Sequence, residues 1–485
     1  PDVLKSSLKS VTYFLDMKFV NVLFVVLLYC THLSAQVTLP NNLYFTHIGV
    51  EDGLCQNTVC CILQDHLGFI WLGTKDGLTR YDGYRFRVFK HDAADPMSIG
   101  NNFIRVLYED ADGLIWIGTN VGVYIYNPET ENFRKFDVAT ERGDVISREV
   151  SSIKCDSSGD LWIGVNWQGV FRYDRRDESL ELYEPVPGDT TSLSSVHVWD
   201  LCFDGDGNLW VGSQNGGLDR YDRETDRFVR HRLKGLSDVS RIVLDKQNQL
   251  LLGTMKDGLF SFNPYMGTCQ PLLLDSGHKD LFVRAIFVRN SREVVVGTEN
   301  GIYIYDCVTR KTRHVNQELG NPYSLSCKAV YSIYCDKEGA LWIGTYFGGV
   351  NYLPPSSSLI FDKFYPIGHS DRLSGKAVRE FVRDESGIIW IGTEDQGLNR
   401  FDPVSGKFTH YNSRNSGLSC DNVHGLCVDG DRLYIGTFFG GFNIMDLKTN
   451  EIVALGSQML PDDSVFSIFR DHDGRIWVGL TYGLC

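Results

Sequence analysis

One short phrase returns ten times along the 485 residues: a large apolar residue, an aliphatic one, Gly and a small residue. Tryptophan opens it in Trp71-Leu-Gly-Thr74, Trp116-Ile-Gly-Thr119, Trp162-Ile-Gly-Val165, Trp210-Val-Gly-Ser213, Trp342-Ile-Gly-Thr345, Trp390-Ile-Gly-Thr393 and Trp477-Val-Gly-Leu480. Leu251, Val295 and Tyr434 hold the same slot in the fifth, sixth and ninth copies, where weaker local packing is expected. Successive glycines lie 41 to 48 residues apart, and seven of the nine tryptophans occupy this one slot. A fixed period of that length is the signature of a repeat architecture, in which each unit is one supersecondary element.

Each unit parses into four strands. An inner run with a recurrent Val comes first, then a turn such as Asp110-Ala-Asp-Gly113 or Asp384-Glu-Ser-Gly387. Asp accepts hydrogen bonds from the turn backbone and Gly takes the positive-φ position. The Trp-x-Gly strand follows, then a third strand such as Gly77-Leu-Thr-Arg-Tyr-Asp82 and an outer strand such as Phe86-Arg-Val-Phe89. One such sheet cannot bury both faces, whereas a radial stack sandwiches each between two others. No 3.6-residue periodicity appears, so a helical solenoid is excluded. The expected fold is all-β: a seven-bladed β-propeller of four-stranded antiparallel blades, followed by the first three blades of a second propeller. The break falls at residues 351–358 (NYLPPSSS), which replace the usual Tyr-Asp ending and read as a linker. Leu43-Tyr-Phe-Thr-His47 and Phe361-Asp-Lys-Phe364-Tyr365-Pro366 look like outer strands that precede their own inner strands and close a ring.

The expected organisation is therefore residues 1–35 as upstream sequence plus a signal peptide, 36–358 as the seven-bladed ring and 359–485 as a truncated three-bladed ring. Translation starts at Met17 on this reading. Lys18, the apolar run Phe19–Cys30 and Leu33-Ser-Ala35 fit an export signal, too short for a comfortable span. The thirteen cysteines form no CxxC pair and no metal spacing, and Cys155, Cys202, Cys335 and Cys427 are expected as buried reduced thiols. Lys plus Arg is 47 against 61 Asp plus Glu, a formal charge of −14. That balance excludes binding to nucleic acid or anionic lipid by charge neutralisation.

With the repeats aligned, the chain resembles the two-component regulator propeller family over residues 43–485. The resemblance rests on the Asp-x-x-Gly-x-[Leu/Ile]-Trp-Ile-Gly-Thr signature, the Gly-Leu-x-Arg-Tyr-Asp strand, Glu51-Asp-Gly-Leu54, and loops such as Gly188-Asp-Thr-Thr-Ser-Leu193. It implies the periplasmic sensor region of a hybrid two-component system that detects oligosaccharides and regulates glycan-utilisation genes. Two rings would precede an immunoglobulin-like domain, a membrane helix and a histidine kinase, so this chain carries no kinase activity itself. The resemblance further implies a homodimer in the full-length protein, no nucleic acid bound by this region, and membrane attachment only through the leader or a missing C-terminal part. A propeller-fold glycan hydrolase or lyase, or a ligand-free interaction scaffold, are the alternatives.

Strand alternation puts the loops between second and third strands at the same end as the starts of the inner strands. Trp167, His197, Trp199, Tyr346 and Arg105 fall there and are the candidate ligand-binding residues, since aromatic faces stack on sugar rings. The repeat tryptophans Trp71, Trp116, Trp162, Trp210, Trp342, Trp390 and Trp477 are assigned to structure. The sequence assigns no catalytic residue, no metal and no cofactor. Asp204-Gly-Asp-Gly-Asn208 and Asp471-His-Asp-Gly474 lack the distal Glu of a calcium loop, and their acids are turn chemistry.

Overall fold

The computed structural model describes residues 38–40, 42–233, 236–273, 281–355, 363–364, 366, 372–455 and 460–485. The leader at 1–35, Ser356–Ser358 of the linker, and Phe361, Asp362 and Tyr365 lie outside the described residues. Among the described residues there is one 3-10 turn, Val50–Asp52, and no helix long and apolar enough to cross a membrane. Everything else regular is β-strand.

Ten antiparallel sheets follow one another, one per repeat; nine have four strands and the tenth has three. Sheet 1 runs Val59–Gln64, Ile70–Thr74, Gly77–Tyr81, Phe86–Phe89. The Asp turn joins its first two strands and a tight loop joins the second and third. Sheet 7 differs: its fourth strand is Thr46–Ile48, from the other end of the sequence, with Thr46 opposite Tyr352 and Ile48 opposite Val350. Innermost strands touch in succession from sheet 1 to sheet 7, and Val330–Cys335 of sheet 7 touches Val59–Gln64 of sheet 1. Seven sheets thus close on themselves around an axis, which leaves no edge exposed at the seam.

Contacts divide the chain into two units, 1–318 with 323–359, and 319–322 with 360–485. The first holds the closed ring. The second holds sheets 8, 9 and 10, whose innermost strands Val378–Arg383, Val423–Asp429 and Val465–Arg470 also touch in succession.

The repeated phrase does two jobs. First, a repeat tryptophan packs between its own sheet and the next: Trp71 packs with Ile104, Ile117 and Tyr126 of sheet 2, and Trp342 packs with Val59, Ile70 and Leu72 of sheet 1. Burying an indole this way requires an acceptor for its N–H. The turn Asp six residues earlier supplies it. Trp71 Nε1 donates to Asp65 Oδ2 at 2.7 Å, and Trp116, Trp210, Trp342, Trp390 and Trp477 donate to Asp110, Asp204, Asp336, Asp384 and Asp471 at 2.8 Å. The other carboxylate oxygen caps the turn: Asp110 Oδ1 accepts from the N–H groups of Asp112 and Leu114. Second, the glycine lets the next inner strand come close. A Cβ on Gly118 would lie 2.7 Å from Val150 Cγ1, and one on Gly392 would lie 2.6 Å from Val423 Cγ1. On Gly344 it would lie 2.8 Å from both Cγ1 and the carbonyl oxygen of Val59, across the ring's seam.

Three details depart from the sequence reading. The strand expected at Leu43–His47 is Thr46–Ile48, because Phe45 turns inward, is buried, and bonds through its N–H to Tyr323 O at 2.9 Å. The slots without Trp are not loosely packed in the ring: Leu251 is buried against Tyr303 and Tyr305 of the following sheet, which fill the space from the other side. Cys155, Cys202, Cys335 and Cys427 are free thiols but only half-buried, since they stand near the far ends of inner strands, outside the interlocked flanks.

Gly344→Ala is expected to cost about 1–3 kcal/mol, because the Val59 backbone cannot give way. Gly479→Ala is expected to cost well under 1 kcal/mol, since its new methyl meets only the Ser467 side chain inside 3 Å. Urea unfolding of the two variants measures the contrast, and equal losses would contradict the interlock.

Candidate functional site

Every inner strand carries a β-bulge at its start. In sheet 1 the register slips between Val59 and Cys61, and the same slip recurs at Ile104/Val106, Val198/Asp200, Val283/Ala285 and Val330/Ser332. The extra residue has no partner across the ladder, and a bulge re-aims side chains locally. Those extra residues are Cys60, Arg105, Trp199, Arg284 and Tyr331. The loops between second and third strands lie at the same end, because Val59 pairs with Thr74 and the loop begins at Lys75.

All five candidates lie at this end of the first ring, but the structure joins them in two groups. In the first, Trp167 stands 65% exposed in the loop after Leu161–Val165, with φ 70°. Its N–H donates to Val196 O at 2.9 Å, and its ring meets the edge of His197 with centroids 4.0 Å apart. His197 Nδ1 bonds to Asn166 Oδ1 at 3.2 Å. The second group is a run of ring and cation contacts. Trp199 meets Phe282 edge-on at 6.2 Å, and Arg284 lies over Phe282 at 3.9 Å and over Tyr331 at 4.6 Å. Tyr331 tilts against Tyr346 at 5.1 Å, Lys75 Nζ stands 4.2 Å over Tyr346, and Lys75 and Arg105 share the ring of Phe103. No contact among the described residues joins Trp167 and His197 to this run. Phe347, beside Tyr346, is exposed.

The cations are held in place. Arg105 donates through Nε to Asn120 Oδ1 at 2.8 Å and pairs with Glu149 at 3.0 Å; Arg284 pairs with Glu299 Oε1 at 2.5 Å. Arg241, one residue past the bulge of sheet 5, donates to Arg284 O at 2.7 Å and to Ser240 O at 2.9 Å. Burial pushes the Cys60 thiol up to about 11, although Arg105, Lys75, Arg284 and Arg241 all pull it down. Burial holds the Arg241 guanidinium below its ordinary value; Asp200 raises it and Arg284 and Arg105 lower it further. Sequence reasoning named Arg105 but not Lys75, Phe103, Arg241, Phe282, Arg284 or Tyr331. For Arg284 and Tyr331 the signal was present: aligning the repeats on the recurrent Val or Ile puts the extra residue one position later. Among the described residues no three His, Cys, Asp or Glu side chains gather as a metal site would require.

The loop bearing His197 is anchored by a third-strand side chain. Asp219 Oδ2 accepts from Ser194 N at 2.8 Å and Ser194 Oγ at 2.6 Å, while Oδ1 is buried without a partner. Asn351, Asn399 and Asn443 do the same job for Ser326, Ser374 and Ser419 in sheets 7, 8 and 9.

The model of the two component regulator propeller family matches residues 53–76, 98–121, 192–215, 324–347 and 459–482, each segment spanning an inner strand, its Asp turn and the Trp-x-Gly strand. Five of the ten repeats match the two component regulator propeller model. Over 59 residues, 12% of the chain, it is 39% identical to Histidine kinase P4 of Formosa agariphila, and this stretch spans 4% of that kinase's length. Among solved structures it is similar to the extracellular domain of a hybrid two component system, BT3049, from B. thetaiotaomicron: TM-score 0.65 at 24% identity, over 91% of this chain and 71% of that one. The extracellular domain of BT4673 from the same organism gives a TM-score of 0.56 at 20% identity, over 91% and 65% of the two chains. These likenesses establish a shared propeller fold for the regulator repeats.

Burial pushes the Asp219 carboxyl up to about 6, against the downward pull of its Ser194 hydrogen bonds. The folded chain therefore holds this proton more tightly than the unfolded one. That contribution to stability is full below about pH 4 and is lost as pH rises through about 6. Asp219→Asn, which installs the side chain used in sheets 7 to 9, is expected to stabilise the protein at pH 7.5 by up to about 3 kcal/mol and to add nothing at pH 4. Thermal melts of both proteins at the two pH values measure this, and no gain at pH 7.5 would show that the buried charge is not costly.

Proposed function

We propose that this chain is the ligand-sensing propeller region of a hybrid two component signalling protein, exported to the periplasm, and that it detects oligosaccharides at the loop end of its first ring. The regulator repeats and the fold shared with extracellular domains of such systems support a sensor. The observation that carries the ligand class is the aromatic surface at that end. Trp167 is held 65% exposed by its own backbone bond, with His197 at its edge. Tyr346 and exposed Phe347 stand on the loop of sheet 7. Rigid aromatic faces offered to water are what a sugar ring needs for stacking, and they otherwise carry a solvation cost.

Binding rather than hydrolysis is favoured by the carboxylates present. Glycosidases use two acids poised across one bond, whereas Glu149 and Glu299 at this end are each engaged by an arginine. Sugar binding would alter the loops that ring the axis, and a kinase elsewhere in the full-length protein would report it to glycan-utilisation genes. Homodimerisation and membrane attachment belong to that full-length protein in this reading.

Calorimetry with a panel of oligosaccharides is the test. Trp167→Ala and Tyr346→Ala are each expected to weaken the binding sugar about tenfold, or ~1.4 kcal/mol, with unchanged melting temperatures. A residue whose truncation leaves affinity intact is outside the site. Turnover of any glycan in the panel would replace the sensor reading with an enzymatic one.

A further inference from the structure

We propose that the axis of the first ring, at its loop end, is an oxyanion site that takes a carboxylate or sulfate group of the ligand, so that the sugar sensed is an acidic one. In naming the sugar's charge the proposal rests on the glycan reading above; the site itself stands on its own geometry. Arg105, Arg241 and Arg284 come from sheets 2, 5 and 6, and Lys75 from sheet 1. Sheets 4 and 6 are not neighbours in a closed ring of seven, yet the ring of Trp199 on sheet 4 meets Phe282, at the start of sheet 6, with centroids 6.2 Å apart, while Arg241 of the sheet between them donates to Arg284 O at 2.7 Å. These side chains therefore reach inward past the intervening blade rather than lying only along the wall.

Two of the four cations form no ion pair, and the acids beside the four are Glu149, Glu299 and Asp200. Arg105 and Arg284 are paired to Glu149 and Glu299. Arg241 donates only to main-chain carbonyl oxygens, and among the described residues neither it nor Lys75 forms an ion pair. The nearby Asp200 accepts from Ser152 Oγ, Leu201 N and Ile242 N, at 2.9 to 3.1 Å, so its oxygens are already engaged by other donors. The group is net positive by one charge in a chain whose formal charge is −14. A second observation is independent of charge: the indole Nε1 of Trp199 is buried at a bulge of sheet 4 with no acceptor. Each repeat tryptophan keeps an Asp for that purpose; Trp199 does not.

This end of the ring thus offers a guanidinium and an ammonium that form no ion pair, and an indole N–H with no acceptor. Such a set is satisfied by an oxyanion, whose several lone pairs accept from donors at different angles. It does not suit a cation, nor a neutral hydroxyl that must also donate. Phe282 and Tyr331 hold the Arg284 guanidinium flat, and Tyr346 beneath Lys75 offers a ring face to the sugar that bears the charge.

The test uses inorganic sulfate and free glucuronate, titrated at constant ionic strength and followed by calorimetry and tryptophan fluorescence. Saturable binding is expected in the unmodified chain. Arg241→Gln should weaken it at least about tenfold, and Trp199→Phe, which keeps the packing and deletes the N–H, by about threefold or more. Melting curves establish that both variants are folded. Lack of saturable binding, or equal binding in both variants, overturns the proposal. A second arm compares a glucuronate oligosaccharide and a sulfated glucan oligosaccharide with a neutral glucan of the same length. Preference for either acidic sugar supports the proposal and identifies which anion is used. A neutral sugar that binds as tightly as the acidic ones overturns the acidic specificity. Saturable sulfate binding with no response to any sugar leaves the oxyanion site standing and counts against the glycan reading instead.

Discussion

A buried indole N–H needs an acceptor, and for the seven repeat tryptophans the recipient is the turn Asp six residues earlier. The carboxylate does two things at once: one oxygen takes the indole N–H and the other closes the turn that brings the two strands together. Local geometry and long-range packing are therefore written by the same side chain. With the indole fixed, its outer face becomes the surface on which the next sheet lands, and the glycine two residues later sets how near that sheet approaches. Repeated in five of the seven ring sheets, with Leu251 and Val295 in the same slot of the other two, these contacts leave the core as a series of layers between blades and not as one central mass. Trp477 shows the same chemistry without the second half: its indole is bonded to Asp471, but among the described residues no further sheet packs on it and it stays 38% exposed.

Much of the fold was legible because the repeat states it many times over. Trp, Gly and the turn Asp each have a separate physical reason to recur, and their coincidence at one spacing admits few architectures. Two things escaped. The register of the first strand depends on where Phe45 finds a pocket, and that pocket belongs to residues nearly three hundred positions away. The packing at Leu251 depends on tyrosines of the next sheet that fill a space their own repeat does not define. In each case the deciding contact lies outside the unit being read.

The candidate site divides along the same line. Trp167, His197 and Tyr346 could be placed at one end of the ring from strand alternation alone, since they sit on loops whose end is fixed by parity. Arg241, Arg284 and Tyr331 could not be placed by alternation, because a bulge changes parity by one, and the recurrent Val or Ile marks its place only once the repeats are aligned. Arg105 and Trp199 were singled out as chemically conspicuous residues near inner strands. Their role as the unpaired residues of bulges emerges only with the register in hand. The contrast between Asp219 and the asparagines at the equivalent positions carries a related lesson. The position's task is to accept one backbone N–H, and a buried amide performs it without a titrating group.

The use of Thr46–Ile48 as the outer strand of sheet 7 has a consequence for how the protein is made. During synthesis that segment emerges first, and its partner Val350–Leu353 emerges only after six complete sheets. The earliest strand must wait unpaired, while each new sheet can settle on the flank of the one before it. Ring closure joins residues at the widest sequence separation in the unit, which makes it the step with the largest loop-closure entropy. Until it occurs, the nascent chain is a curved stack with two sticky ends.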